Sequence, residues 1–135
     1  MRMENRFIDG IEYNEIPVPD LDAAVDWYCG KLGARLGLRN NALAIVEFST
    51  GPSLFLVRTA DETAATFLVD GEDHYTIGFR VRDIGGFRDY LLGLGAKVGA
   101  LQDEGRVGLF FTFYDPFGNM FDVHQPPIRT NDKEA

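Results

Sequence analysis

Two well-separated stretches, Ile11 to Val18 and Tyr75 to Val81, read as strands with one buried face. Each leads to an aspartate, Asp20 or Asp83, and then to residues spaced for a helix. Leu21, Val25, Tyr28 and Leu32 fall at i, i+4, i+7 and i+11, which lines them up on one side of a helical cylinder. Ile84, Phe87, Leu91 and Leu94 make the second such stripe. Asp20 and Asp83 stand where an N-cap carboxylate accepts from the free amides of a first turn, and Gly33 and Gly95 stand where a helix closes. Gly85, Gly86 and Gly93 weaken the second helix by propensity, so its stability has to come from packing.

Three strand-like runs follow each helix. They are Ala34 to Arg39, Ala42 to Ser49 and Ser53 to Arg58 in the first half, and Ala96 to Leu101, Val107 to Tyr114 and Met120 to His124 in the second. The breaks between them, among them Asn40-Asn41, Thr50-Gly51-Pro52 and Asp115-Pro116-Phe117-Gly118-Asn119, carry the residues that turns require. The halves also match in sequence. Val18-Pro19-Asp20-Leu21 returns as Val81-Arg82-Asp83-Ile84, and Leu32-Gly33-Ala34-Arg35-Leu36 returns as Leu94-Gly95-Ala96-Lys97-Val98. The pattern is an α+β chain of two tandem βαβββ modules, 11–58 and 74–125, with a linker at 59–73 and a polar C-terminal tail at 126–135. A helix covers one face of each sheet, so the sheets are expected to curve into a cup with the helices on its convex side. Phe67-Leu68-Val69 in the linker either covers the cup mouth or packs, and packing is the favoured reading.

A chain of 135 residues, 45% apolar and 25% charged, is large enough for a buried core. Its formal net charge of -8 disfavours nucleic acid and anionic membranes as partners. No apolar run is long enough to span a bilayer, and the first residues, Met1 to Arg6, lead into no signal-peptide core. A single cysteine, Cys29, can form no internal disulfide and fits a reducing cytoplasm; it reads as a packing residue. There is no Ser-His-Asp order in a recognisable context, no phosphate loop and no Cys/His cluster. Gly93-Leu94-Gly95 ends a helix and opens none, and Asp115 reads as a turn residue.

Three segments carry a likeness to a known family: Val18 to Gly33, Gly78 to Ile84, and Phe113 to Gln125 with its Asp-Pro-x-Gly-Asn hairpin. In this order they resemble the vicinal-oxygen-chelate superfamily of glyoxalases, bleomycin-resistance proteins and extradiol dioxygenases, over Ile11 to Gln125. The resemblance implies a small-molecule cup, and homodimers are usual in such proteins. The Trp27–Tyr28 helix face and exposed strand edges give this chain a motive to pair. In metal-dependent members, the resemblance implies one ligand on the first strand and one on the last strand of each module. Carried onto this chain, those positions are Tyr13, Phe55, Thr76 and Asp122. A phenol, a phenyl ring, a hydroxyl and one carboxylate do not supply the anionic or imidazole donors that a divalent ion needs at ~2 Å. Glu15, His74 and His124 lie one pleat away on the same faces, too near the strand ends to converge readily. No metal or other cofactor is therefore expected.

By alternation the cup wall includes Tyr13, Glu15, Phe55, Val57, His74, Thr76, Arg80, Met120, Asp122 and His124, with Arg80 expected to pair with Asp122. The core side includes Ile16, Val18, Leu54, Leu56, Ile77, Phe79, Val81, Phe121 and Val123. An aromatic cup with Glu15 and Asp122 suits a small cationic or aromatic organic ligand. The alternative is a lyase, isomerase or dioxygenase in which Asp122, His74 or His124 moves protons, with or without a displaced metal.

Overall fold

The computed structural model describes residues 7–128. Met1 to Arg6 and all of the tail beyond Ile128 lie outside the described residues. Contacts divide the chain into two compact units, Met1–Glu62 and Thr63–Ala135. The division falls within the stretch read as linker.

In the first unit, β1 (Tyr13–Val18) leads into α1 (Leu21–Val25), followed by β2 (Arg35–Arg39), β3 (Leu43–Glu47) and β4 (Ser53–Arg58). The sheet order is β1-β4-β3-β2, with β1 parallel to β4 and the other pairs antiparallel. The second unit repeats this arrangement. Its β7 (Ile77–Arg80), α2 (Ile84–Gly93), β8 (Gln102–Asp103), β9 (Leu109–Tyr114) and β10 (Met120–Gln125) form a sheet in the order β7-β10-β9-β8, with β7 parallel to β10. The parallel pair in each unit needs a crossover, and the helix supplies it. The expected α+β class and the doubled βαβββ order are both present.

Both caps form as the sequence predicts. The Asp20 carboxylate accepts from the Ala23 amide at 3.1 Å, and the Asp83 carboxylate accepts from the Gly86 amide at 3.0 Å. The helical stripe of the first unit is altered, because α1 continues as a π turn over Asp26–Lys31, closed by the Leu32 amide donating to the Trp27 carbonyl at 3.0 Å. The wider turn brings Trp27 inward beside Tyr28, so both are buried, while Val25 and Leu32 are only half-buried. The Trp27–Tyr28 face is thus core, not the surface for a second copy that the sequence pattern implied. The core side of both sheets otherwise matches expectation at Ile16, Val18, Leu54, Leu56, Phe121 and Val123, all buried. Ile77, Phe79 and Val81 are half-buried, as befits an edge strand and its end.

Two expected strands come out differently. The stretch 75–81 breaks at Thr76, and the residues before the break, β6 (Glu72–Tyr75), pair antiparallel with β5 (Thr66–Val69) in a hairpin of their own. The linker is therefore partly ordered as strand. Phe67, Leu68 and Val69 are 50%, 68% and 43% exposed, so they do not pack as favoured from the sequence. The expected strand at 96–101 is reduced to an isolated bridge between Val98 and Phe113, and regular pairing resumes only at β8. Here Gly99 lies so close to β9 that an added Cβ would stand 2.9 Å from the Thr112 hydroxyl, and the chain then leaves the sheet edge before returning.

Candidate functional site

The open face of the first unit carries Tyr13 and Glu15 of β1 with Phe55 and Val57 of β4, opposite the buried Ile16, Val18, Leu54 and Leu56. Tyr13 and Phe55 stack with ring centroids 4.2 Å apart and planes 13° from parallel. The structure thus brings together the two positions that the resemblance assigns to metal ligands in the first module, as an aromatic pair. Glu15 stays exposed beside them.

The second unit holds a cavity of about 420 Å³, within the range usual for small-molecule sites. Its wall includes Tyr75, Gln102, Glu104, Phe110, Thr112 and Asp122. Asp122 and Thr112 are cross-strand partners on β10 and β9, and Phe110 stands one pleat along, opposite His124. The register depends on the turn before β10. The Asp115 carboxylate accepts from the Phe117 and Asn119 amides at 2.9 and 2.8 Å and from the Asn119 side-chain amide at 2.8 Å. The Asn119 side-chain oxygen accepts from the Ala65 amide at 2.7 Å, which ties the turn to the start of this unit. With Asp115 and Asn119 both buried, this closed set fixes the hairpin, and a one-residue slip would turn Asp122 into the core.

Asp122 has a hydrogen-bond partner that sequence reasoning missed. The phenol of Tyr75 donates to its carboxylate, because the bend at Thr76 turns the chain and brings Tyr75 to the place assigned to Thr76. Thr76 itself is exposed. The repeat gave no signal for this, because ahead of the helices Val18 and Val81 stand 63 positions apart, which aligns Tyr13 with Thr76. Burial pushes the Asp122 carboxyl above its ordinary 3.8. The Val123 amide, the Tyr75 phenol, His124 and His74 oppose that rise without cancelling it. Burial also raises the Tyr75 phenol, and the neighbouring Asp122 charge and hydrogen bond add to the effect.

Neither expected histidine lines the cavity, but each stacks on a residue that does. His124 stacks on Phe110 at 4.3 Å and 9°, and its Nε2 lies 2.7 Å from the Val107 carbonyl oxygen. That contact places the proton on Nε2 when the ring is neutral. His74 belongs to the hairpin, where its ring packs against Tyr75 at 4.2 Å and Phe67 at 5.0 Å. Arg80 is exposed, and the groups that act on Asp122 are Tyr75, His124 and His74. The expected Arg80–Asp122 pair is therefore not formed. Gln102, Glu104, Phe110 and Thr112 were not singled out from the sequence, since the first two lie in a stretch read as turn.

These residues do not fit a divalent ion. Among the described residues, no group of three or more His, Cys, Asp and Glu is placed to hold one. Asp122 is the single carboxylate at the expected positions, and with a phenol, a phenyl ring and a hydroxyl at the others the set supplies too few donors for a divalent ion. No helix of the described residues is long and apolar enough to cross a membrane.

Comparison with known proteins agrees with the architecture. The antibiotic-binding protein TnmS3 from Streptomyces sp. CB03234 has a similar structure, with TM-score 0.71 at 21% identity over 91% of this chain and 100% of that one. The fosfomycin resistance protein FosX from Listeria monocytogenes has TM-score 0.74 at 14% identity, over 90% and 97% of the two chains. TioX from Micromonospora sp. ML1 has TM-score 0.66 at 22% identity, over 87% and 99%. No curated protein matches the sequence. The model of the Glyoxalase/Bleomycin resistance protein/Dioxygenase superfamily matches residues 10–123, and the chain belongs to that family.

Proposed function

We propose that this protein is a binding module that captures a small organic molecule, cationic or aromatic, in the cavity of its second unit, without a divalent metal or other cofactor. The observation that carries this reading is the wall itself. An aromatic face at Phe110, hydroxyls at Tyr75 and Thr112 and a carboxylate at Asp122 surround a space of ligand size, with no convergent donor set for an ion. Such a wall offers apolar contact with a few fixed polar groups, which is how small-molecule sites gain both affinity and orientation. The similarity to an antibiotic-binding protein is in keeping with it.

A second reading, an enzyme of lyase, isomerase or dioxygenase type with a degenerate metal site, draws on the Asp122 carboxyl. Raised by burial and hydrogen-bonded to Tyr75, it is better suited to taking up a proton than an ordinary aspartate. Metal analysis of protein purified without chelator, followed by reconstitution with Mn, Fe, Ni and Zn, separates the two. A stoichiometric ion that is lost in Asp122→Asn, or on replacing His74 or His124, would establish the second reading and refute the first. In keeping with the family, the protein is proposed to be a cytoplasmic homodimer. Exposed Leu36 and Leu38 on the edge strand β2 support self-association, and light scattering of the purified protein tests it.

A further inference from the structure

The charged residues that line the second-unit cavity are all acidic. They are Asp122 and Glu104, and no Lys, Arg or His is among the residues that line it. Its other polar groups are hydroxyls and an amide, which can accept as well as donate. Phe110 is held firmly, because His124 stacks against its ring and is itself anchored to the Val107 carbonyl. Glu104 stands at the start of the short turn Gly105–Val107, where its amide donates to the Gly108 carbonyl at 2.9 Å, so its backbone is fixed as well.

Resting on the binding reading above, we infer that the ligand class is an arylalkylamine, with a planar ring against Phe110 and a protonated alkylammonium nitrogen between Asp122 and Glu104. A cation there offsets what burial costs the Asp122 carboxylate, since the charge that water no longer stabilises gains a partner. A carboxylate ligand would meet two like charges, and a neutral one would leave the cost in place. The Tyr75 phenol fixes Asp122 and leaves carboxylate lone pairs to accept from the ammonium. The overall charge of -8 adds long-range attraction for cations.

Three probes of one shape test the inference: tryptamine, indole-3-ethanol and indole-3-propionate, each titrated at millimolar concentration into the 15N-labelled protein and followed by amide shifts. Tryptamine is expected to move the amides of Gln102, Thr112 and Asp122, and to bind at least about tenfold more tightly than the alcohol, the usual value of a charge-assisted hydrogen bond. The propionate is expected to bind most weakly. Glu104→Gln and Asp122→Asn should each cut the amine-to-alcohol affinity ratio severalfold, the readout being that ratio within each variant. Equal binding of amine and alcohol overturns the inference but leaves an aromatic binding site standing. Failure of all three probes to shift cavity amides overturns the binding reading and the inference together.

Discussion

Replacing Asn119 with aspartate would change one atom and one charge at the point that sets the register of β9 and β10. The wild-type side chain donates from Nδ2 to the Asp115 carboxylate at 2.8 Å and accepts at Oδ1 from the Ala65 amide at 2.7 Å, fully buried. Asn119→Asp keeps the acceptor for Ala65 but turns an oxygen toward Asp115. Losing a charge-assisted hydrogen bond costs about 1.5–3 kcal/mol. Two carboxylates ~3 Å apart at an effective dielectric of about 20 would add roughly 5 kcal/mol of repulsion. The pair avoids the full sum by taking up one proton. For an aspartate with an unfolded value near 3.9, that uptake costs about 4 kcal/mol at pH 7, at ~1.4 kcal/mol per pH unit. The expected penalty is therefore about 3–4 kcal/mol at pH 7, shrinking with that slope to near zero around pH 4. Asn119→Ala should instead lose about 2–4 kcal/mol at every pH, from two broken hydrogen bonds and a small cavity. Urea midpoints of both variants and the wild type between pH 4 and 7 give the comparison, with differences taken at each pH so that other titrating groups cancel. A penalty for Asn119→Asp that is flat with pH, or below about 0.5 kcal/mol, would refute the claim that this buried pair locks the hairpin.

Further outcomes follow from the same contacts. Because burial raises the Asp122 carboxyl above its unfolded 3.8, the folded state holds that proton more tightly. Its contribution to stability is complete below pH 3.8 and is lost as pH rises through the raised value, so Asp122→Asn should be more stable than wild type at pH 7 and lose that advantage in acid. Tyr75→Phe removes a donor to the ionised form and should raise the Asp122 carboxyl further, read by NMR titration of its carboxyl carbon; a downward shift would contradict the assigned hydrogen bond. Gly108→Ala places a Cβ 2.3 Å from the Gln125 carbonyl oxygen at a residue with φ +114, and should cost more than about 2 kcal/mol in thermal unfolding while disturbing the His124–Val107 contact. Burial raises the Cys29 thiol, so iodoacetamide at pH 8 should alkylate it more slowly than a free thiol until the protein is unfolded.

Much of this molecule is written locally. The caps at Asp20 and Asp83, the closing Gly33 and Gly95, and the alternation along β1, β4 and β10 follow from steric and hydrogen-bonding preferences within a few residues, and the repeat doubles each signal. The pairing of Tyr13 with Phe55, and the face on which Asp122 lies, follow from that alternation once the strands are in place. Other features depend on partners distant in the chain. The π turn that buries Trp27 and the bend at Thr76 that delivers Tyr75 to Asp122 have no periodic signature. The same holds for the irregular stretch 100–101 between Gly99, still bonded to β9, and β8, after which Gln102 and Glu104 join the cavity wall. In each case packing against another element overrides the regular spacing that sequence patterns detect. The doubled framework, and the phenol, phenyl ring, hydroxyl and lone carboxylate at Tyr13, Phe55, Thr76 and Asp122, were legible because they depend on residue type and order alone. Which side chains share the cavity had to come from the folded chain, because a break of one residue in a strand exchanges its two faces.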